Sequence, residues 1–149
     1  YNSIVTYKTA FYSFYLPVAA GLTLAGVTGA KELEQTEEIC MRLGQYFQIQ
    51  DDVLDCYGSP EVIGKVGTDI QDKKCSWLCV QALSKCTVAQ RKVMQDNYGQ
   101  HDEAKVATIK KLFADLKLLP MFEEYEVQSY KELKALIEKV EGVPQIVFD

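Results

Sequence analysis

Three aspartates lie within five residues of one another in the otherwise apolar stretch FQIQDDVLDCYG, which begins at Phe47. An α-helix turns by about 100° per residue, so Asp51, Asp52 and Asp55 share one face of a helix. Gln48 falls on the same face. Three carboxylates at this spacing repel one another unless a cation lies between them. Mg²⁺ suits such a position, because it prefers carboxylate oxygen and completes its shell with water and phosphate oxygens. The pattern predicts a metal-bridged phosphate site; the alternative is a solvated acidic helix face.

Cationic residues occur in two further segments, YKTAFYSFY and GKVGTDIQDKK. In the first, Lys8 and Thr9 begin an aromatic run, and Tyr12 falls about 40° from Lys8 on an α-helix. This face suits a ligand with an anionic head and an apolar tail, although a core helix whose lysine reaches water has the same pattern. In the second, Lys65 precedes a predicted helix N-terminus, a position suited to anions. The alternative for this segment is an ordinary capped helix start.

Helices must position these residues, and the sequence predicts helices almost throughout, with no strand. A proline at position 17 is expected to kink the first helix. Thr68 with Gln71, and Thr87 with Gln90, match capping boxes at two helix starts. Gly44 lies on the aspartate face one turn earlier and is expected to leave room there. Helices are expected over residues 2–24 and 30–57, from 68, from 87 to 99, and over 102–116 and 121–141. A short helical turn is expected to begin at Ser59-Pro60 and to be stopped by Gly64.

Composition limits the class of protein. At 149 residues, with 48% apolar and 25% charged residues, the chain is expected to form one soluble globular domain. A net charge of −5 argues against a general nucleic-acid binder, and no segment is predicted to span a membrane. Five cysteines without a CxxC pair favour reduced thiols in a cytosolic compartment. Cys75 and Cys79 are expected to pack in the core.

Several kinds of catalytic site are excluded by what the sequence lacks. His101 is the only histidine, and neither a GxSxG nor a GxGxxG motif occurs. Carboxylates, lysines and a metal would therefore act electrostatically, without an evident nucleophile. The chain starts at Tyr1 within a helical pattern, so it is expected to be a piece of a longer protein.

Three segments together resemble the C-terminal half of the farnesyl diphosphate synthases. They are YKTAFYSFYLPVAAGL, GQYFQIQDDVLDCYGSPEVIGKVGTDIQDKKCSW and NYG. These synthases are short-chain trans-prenyltransferases of the all-α isoprenoid synthase fold, and geranylgeranyl-type relatives are the close alternative. The resemblance covers nearly all of the chain. It implies that residues 1–149 form the C-terminal part of a single prenyltransferase domain, here a partial helical bundle.

The resemblance assigns a role to each site residue. It implies that Asp51, Asp52 and Asp55 hold Mg²⁺ against the diphosphate of the allylic substrate. Asp69 matches an acidic residue of the network of metal and water. Replacing Asp52 with alanine is therefore expected to weaken Mg²⁺-dependent diphosphate binding far more than it lowers thermal stability.

Other positions match residues that bind the substrate. Lys8, Lys65 and Lys74 match lysines that grip the allylic diphosphate. Thr9 and Gln48 match polar residues that steady the allylic cation, with the backbone carbonyl of Lys8. The matched aromatic wall positions are Tyr12 and Phe47.

The implied reaction ionises dimethylallyl or geranyl diphosphate, and the double bond of isopentenyl diphosphate then attacks the cation before a proton is lost. The full-length protein is expected to be a cytoplasmic homodimer. The first aspartate-rich motif of the family and the isopentenyl diphosphate site are not in this sequence, so the chain alone is expected to be inactive. The alternative is a natural short form that binds a diphosphate or a protein partner without turnover.

Overall fold

The structure is a computed structural model that describes residues 1–148, apart from the side chain of Val62. It is helical, with no strand among those residues, which confirms the all-α prediction. The elements are α1 (Asn2–Ile4), a π-helix (Val5–Tyr15), α2 (Leu16–Leu24), α3 (Ala30–Tyr57), α4 (Pro60–Ile63), α5 (Trp77–Lys85), α6 (Val88–Asn97), α7 (Glu103–Asp115), α8 (Leu118–Ile137) and a 3₁₀ turn (Gln145–Val147).

Two compact units make up the chain. The first unit comprises Tyr1 with residues 49–124, and the second unit comprises residues 2–48 with the chain from residue 125 onward. The chain passes from one unit to the other within α3 and again within α8. No helix in the described part of the chain is long and apolar enough to cross a membrane.

The core of the first unit is built on the apolar face of α7. Ile109, Leu112 and Phe113 follow the spacing of one helix face and are 0%, 5% and 1% exposed. Trp77 contacts Phe122 edge to face, with ring centroids 6.2 Å apart. Burying each such side chain contributes about 1.5–3 kcal/mol to folding. This packing holds α5, which follows the segment that carries Lys74.

The first helix differs from its prediction, because the run Val5–Tyr15 is a π-helix with hydrogen bonds from residue i+5 to residue i. Pro17 lies in the first turn of α2, immediately after this run. A π-helix has more residues per turn than an α-helix, so the angle of about 40° between Lys8 and Tyr12, calculated for an α-helix, does not apply.

Gly44 also has a different role from the one expected. A Cβ atom at this position would lie 2.4 Å from Cα of Ala10 and 3.0 Å from the ring of Phe14. The missing side chain therefore leaves no room for a ligand. It allows α3 and the π-helix to approach closely within the second unit.

The bounds of α3 and α4 agree with the sequence prediction. Ser59 precedes α4 in an extended conformation, and Gly64 ends it in the left-handed region with φ 73°. Both features depend on local sequence, since proline suits the first turn of a helix and glycine suits a left-handed end.

The prediction of a helix that starts at Thr68 is wrong, because the chain forms only a turn there. Lys73 has φ 57°, in the left-handed region. Its N–H donates to the carbonyl of Ile70 at 3.3 Å, and the N–H of Lys74 donates to the carbonyl of Asp69 at 3.0 Å. This pair of hydrogen bonds is a Schellman motif, which closes a helical turn.

The next helix, α5, starts at Trp77. Its N-cap is Ser76, whose hydroxyl accepts a hydrogen bond from the N–H of Cys79 at 3.2 Å. Cys79 is buried as expected, whereas Cys75 lies before the helix and is exposed, which corrects its predicted core position. The capping box of Thr87 and Gln90 at α6 is confirmed.

Candidate functional site

Asp52 is the most deeply buried of the three aspartates, with 1% of its area exposed. Its Oδ2 accepts hydrogen bonds from the N–H of Trp77 at 2.7 Å and from the hydroxyl of Tyr1 at 2.9 Å. The N–H of Trp77 belongs to the first turn of α5, where backbone donors lack helical partners and the helix dipole favours negative charge. Asp52 therefore joins α3 to the N-terminus of α5.

Asp55 connects α3 to the segment GKVGTD. Its side chain is 4% exposed, and its Oδ1 lies 3.3 Å from Nζ of Lys65, which is 61% exposed. Its Oδ2 accepts a hydrogen bond from the N–H of Asp69 at 2.9 Å. A Cβ atom at Gly67 would lie 1.7 Å from the carbonyl oxygen of Asp55, so only glycine allows this approach.

Lys74 brings a cation to the aspartates. Its Nζ lies 2.7 Å from Oδ2 of Asp69, 3.1 Å from Oδ1 of Asp52 and 3.6 Å from Oδ2 of Asp51. The cation between these carboxylates is therefore a lysine in this structure. Mutual repulsion of the aspartates, which the sequence predicted, is relieved by this internal charge.

Burial and neighbouring charges act in opposite directions on the pKa values of Lys74 and of Asp69. Burial lowers the pKa of Lys74, but its hydrogen bond to Asp69 and the charge of Asp52 outweigh burial and hold the pKa above its usual value. Burial raises the pKa of Asp69, and Lys74 offsets this rise only in part. Lys74 therefore stays charged throughout the neutral range.

The arrangement of the carboxylates limits how a metal ion can be held. Over residues 1–148, no three His, Cys, Asp or Glu side chains are grouped so as to hold a metal ion. Both carboxylate oxygens of Asp52 and of Asp55 already contact donors within the first unit. The side chain of Asp51 is 44% exposed. This donor set fits Mg²⁺ held through one carboxylate, with phosphate and water oxygens completing the shell.

The second unit contains the other predicted site residues. The hydroxyl of Thr9 donates to Oε1 of Gln48 at 2.8 Å. Phe47, which is 52% exposed, stacks obliquely on Phe14, with ring centroids 5.5 Å apart. The exposed side chains on the π-helix include Lys8 and Tyr12, and Tyr12 is 68% exposed.

Three residues of the site were missed by reasoning from the sequence. Tyr1 and Trp77 bind Asp52, but they lie 51 and 25 positions away, and no local pattern signals such pairings. Tyr98 donates its hydroxyl to the carbonyl oxygen of Lys74 at 2.6 Å. The segment NYG contains Tyr98 and contributes to the family resemblance, which assigns no role to this residue.

Comparisons with known proteins identify the family to which the chain is similar. Residues 1–116 match the family model for polyprenyl synthetase. The chain is 53% identical to farnesyl pyrophosphate synthase of Rattus norvegicus, covering 99% of this chain and 42% of the relative. It is 52% identical to farnesyl pyrophosphate synthase of Saccharomyces cerevisiae, covering 95% of this chain and 40% of the relative.

The fold comparison leads to the same group of proteins. The structure of T. brucei farnesyl pyrophosphate synthase matches with a TM-score of 0.89 and 46% identity, covering 94% of this chain and 43% of that chain. The same enzyme complexed with risedronate matches with a TM-score of 0.86. This chain thus spans about 42% of the length of the first of these relatives.

Proposed function

Because this chain belongs to the polyprenyl synthetase family, we propose that it supplies the allylic-diphosphate part of the active site of a Mg²⁺-dependent prenyltransferase. The whole protein would join isopentenyl diphosphate to dimethylallyl or geranyl diphosphate. The single observation that carries the proposal is the position of Lys74 Nζ, within 3.6 Å of the carboxylates of Asp51, Asp52 and Asp69. Fixed opposite charges at this density suit a site for a metal and a diphosphate.

The lysines of the first unit would bind the departing diphosphate. Negative charge develops on the diphosphate as the allylic carbon–oxygen bond breaks, and fixed cations stabilise that charge where it forms. Lys74 is suited to this role because its carboxylate partners hold its pKa above the usual value, which keeps it charged. The side chain of Lys65 is 61% exposed and can reach a ligand.

Asp51 would hold the metal ion, because its side chain is 44% exposed, whereas those of Asp52 and Asp55 are 1% and 4% exposed. When bound, Mg²⁺ would neutralise part of the diphosphate charge. Asp52 and Asp55 would instead keep α3, α5 and the segment of Lys65 in place. Asp69, which contacts Lys74, would orient that lysine.

The family resemblance also assigns residues of the second unit to the hydrocarbon part of the substrate. Thr9 donates its only hydroxyl proton to Gln48, so its oxygen presents lone pairs to the surroundings. An oxygen in this state can stabilise a neighbouring carbocation. The carbonyl of Lys8 is proposed to act in the same way. The aromatic faces of Tyr12 and Phe47 would add about 0.5–2 kcal/mol by attracting a cation.

Calorimetric titration of a bisphosphonate into the 149-residue chain tests the proposal, first with Mg²⁺ and then with EDTA. Mg²⁺-dependent binding that Lys65→Met and Lys74→Met each weaken would support it. Lys92→Met is the matched control, because Lys92 forms an exposed pair with Asp96 across one helical turn. Absence of binding by a folded chain would count against it.

The proposals of a homodimeric parent protein and of a cytoplasmic location rest on the family resemblance alone. Product formation separates the two functions left open by the sequence. The prenyltransferase proposal predicts condensation by the full-length protein and none by this chain alone. A natural short form would bind the bisphosphonate without forming product. In that case, no protein of greater length that contains the missing motif would be found.

A further inference from the structure

The turn that carries Asp69 and Lys74 is held in an unfavourable conformation. Lys73 adopts a φ of 57°, a left-handed conformation that costs a residue other than glycine about 1–2 kcal/mol. The turn is closed by the two hydrogen bonds of its Schellman motif. A strained conformation persists only where surrounding groups hold it, so other contacts must maintain this turn.

Those contacts come from the two residues that follow α6. The hydroxyl of Tyr98 donates to the carbonyl oxygen of Lys74 at 2.6 Å, and the N–H of Gly99 donates to the carbonyl oxygen of Ile70 at 2.9 Å. These two hydrogen bonds fix the turn at Ile70, before Lys73, and at Lys74, after it. Tyr98 is 8% exposed, and burial raises the pKa of its hydroxyl, which keeps it a neutral donor.

The residue at position 99 must be glycine for the contact to form. Gly99 has φ 81°, and a Cβ atom there would lie 2.8 Å from Cβ of Lys73. An alanine would therefore meet both backbone strain and a clash with the first carbon of the lysine side chain. Tyr98 and Gly99 form part of the segment NYG, to which the proposed function assigns no role.

We propose that Tyr98 and Gly99 are positioning residues that clamp the turn of residues 68–74, so that the ammonium of Lys74 reaches the carboxylates of Asp52 and Asp69. The consequence for diphosphate binding rests on the proposed function. The placement of Lys74 itself does not, because it is a property of the chain without ligand.

The reactivity of Lys74 toward an acylating reagent tests this placement directly. An ammonium held by carboxylates reacts slowly, because acylation requires the free amine. Lys111 is the internal standard, since it is exposed on α7 and lies outside the clamped turn. We expect Tyr98→Phe to raise the acylation rate of Lys74 about fivefold relative to Lys111, as expected for loss of one hydrogen bond. Mass spectrometry of the modified chain measures both rates.

Tyr57→Phe is the matched control variant. The hydroxyl of Tyr57 is buried without a hydrogen-bond partner among the described residues of the same unit. This substitution removes the same atom and should leave the acylation of Lys74 unchanged. Gly99→Ala disrupts the second contact of the clamp and should raise the acylation rate of Lys74, as Tyr98→Phe does. Two independent variants allow the test to be completed if one of them fails to fold.

A double-mutant cycle connects the clamp to ligand binding. With Mg²⁺ and inorganic pyrophosphate as the probe, Tyr98→Phe should weaken binding about fivefold in the native chain and have little further effect in a Lys74→Met chain. Unchanged acylation of Lys74 in a folded Tyr98→Phe chain would overturn the clamp. Faster acylation in a chain that binds no pyrophosphate would uphold the clamp and count against the proposed function alone.

Discussion

The ammonium nitrogen of Lys74 lies 3.1 Å from Oδ1 of Asp52, a carboxylate whose side chain is only 1% exposed. A carboxylate this deeply buried needs a partner, because an unpaired charge inside a protein costs several kcal/mol. Lys74 also contacts Asp69, with 2.7 Å between Nζ and Oδ2. One lysine therefore balances a buried carboxylate and lies at the centre of the proposed diphosphate site.

Replacing Lys74 with methionine should destabilise the first unit by about 1–3 kcal/mol. This loss is smaller than the loss expected on breaking a fully buried ion pair, because the side chain of Lys74 is 37% exposed. Urea unfolding followed by circular dichroism measures the loss. Lys92→Met removes an exposed i,i+4 pair and should cost no more than about 0.5 kcal/mol. Equal stability of the Lys74 variant and native chain would contradict this role.

Asp51 and Asp52 should respond differently to substitution with asparagine. Asp51→Asn should weaken Mg²⁺-dependent bisphosphonate binding about tenfold or more with little change in Tm, because its side chain is 44% exposed. Asp52→Asn should lower stability by about 3–5 kcal/mol, because the buried carboxylate joins Tyr1, Trp77 and Lys74. Its burial makes Asp52→Ala a poor test of binding alone.

The two measurements are titration calorimetry and thermal unfolding of each variant. Asp115→Asn, an exposed carboxylate at the end of α7, serves as the control for removing one negative charge. A stable Asp52 variant with normal Tm would show that its hydrogen bonds to α5 are unimportant.

Gly67→Ala should disrupt the approach of the segment GKVG to α3. The added methyl group would overlap the carbonyl oxygen of Asp55, 1.7 Å away, so the loop must move and separate Lys65 from Asp55. We expect a stability loss of more than about 2 kcal/mol, within the range for overpacked sites. Gly64→Ala is the control, because Gly64 has φ 73° with open space around it and pays only the strain of about 1–2 kcal/mol.

The five cysteines should differ widely in reactivity toward iodoacetamide at pH 8. Burial raises the pKa of the Cys40 and Cys56 thiols to about 11, which lowers the fraction of reactive thiolate about a hundredfold relative to an ordinary thiol. Cys75 is exposed and should be alkylated first. Mass spectrometry after short labelling, with Cys75→Ser as the control, identifies the site. Early labelling of Cys40 would mean that the second unit opens readily.

The free energy of unfolding should fall above pH 10 because the hydroxyl of Tyr46 loses its proton at different pH values in the folded and unfolded chain. Burial, together with its hydrogen bond to Glu126, raises the pKa of Tyr46 to about 12 from the ordinary value of 10.0. The unfolded chain therefore loses this proton first as pH rises, so the contribution of Tyr46 is present below pH 10 and is lost by pH 12. Tyr46→Phe should show a smaller fall in Tm between pH 9 and pH 11 than the native chain. Identical slopes would contradict the raised pKa.

The elements that the sequence predicted correctly are those with local causes. The helix α3 has the predicted range of residues 30–57, because a continuous helical pattern is followed by a glycine at position 58. The capping box at Thr87 is satisfied by a residue three positions later. The apolar spacing of α7 determines which of its faces is buried. Each feature needs only neighbours within one or two helical turns, so the sequence alone determines it.

The failed predictions depended on distant groups. Thr68 and Gln71 have the residue types of a capping box, yet the turn closes at Lys73, where Tyr98 and Gly99 bind it from more than twenty residues away. Gly44 was expected to leave space for a ligand, but that space is taken by Ala10. A propensity of a few tenths of a kcal/mol per residue cannot outweigh such contacts.

The sequence by itself determined the helical class of the chain, the residues that carry charge and the aspartates that share one helix face. Only the tertiary structure decided which carboxylate is buried, which is exposed and which cation balances them. Asp51 and Asp52 are adjacent in the chain, but the fold places one at 44% exposure and the other at 1%. The physical reason is that burial, hydrogen bonding and ion pairing depend on groups that meet only when the chain is folded, such as Tyr1, Lys74 and Trp77 around Asp52.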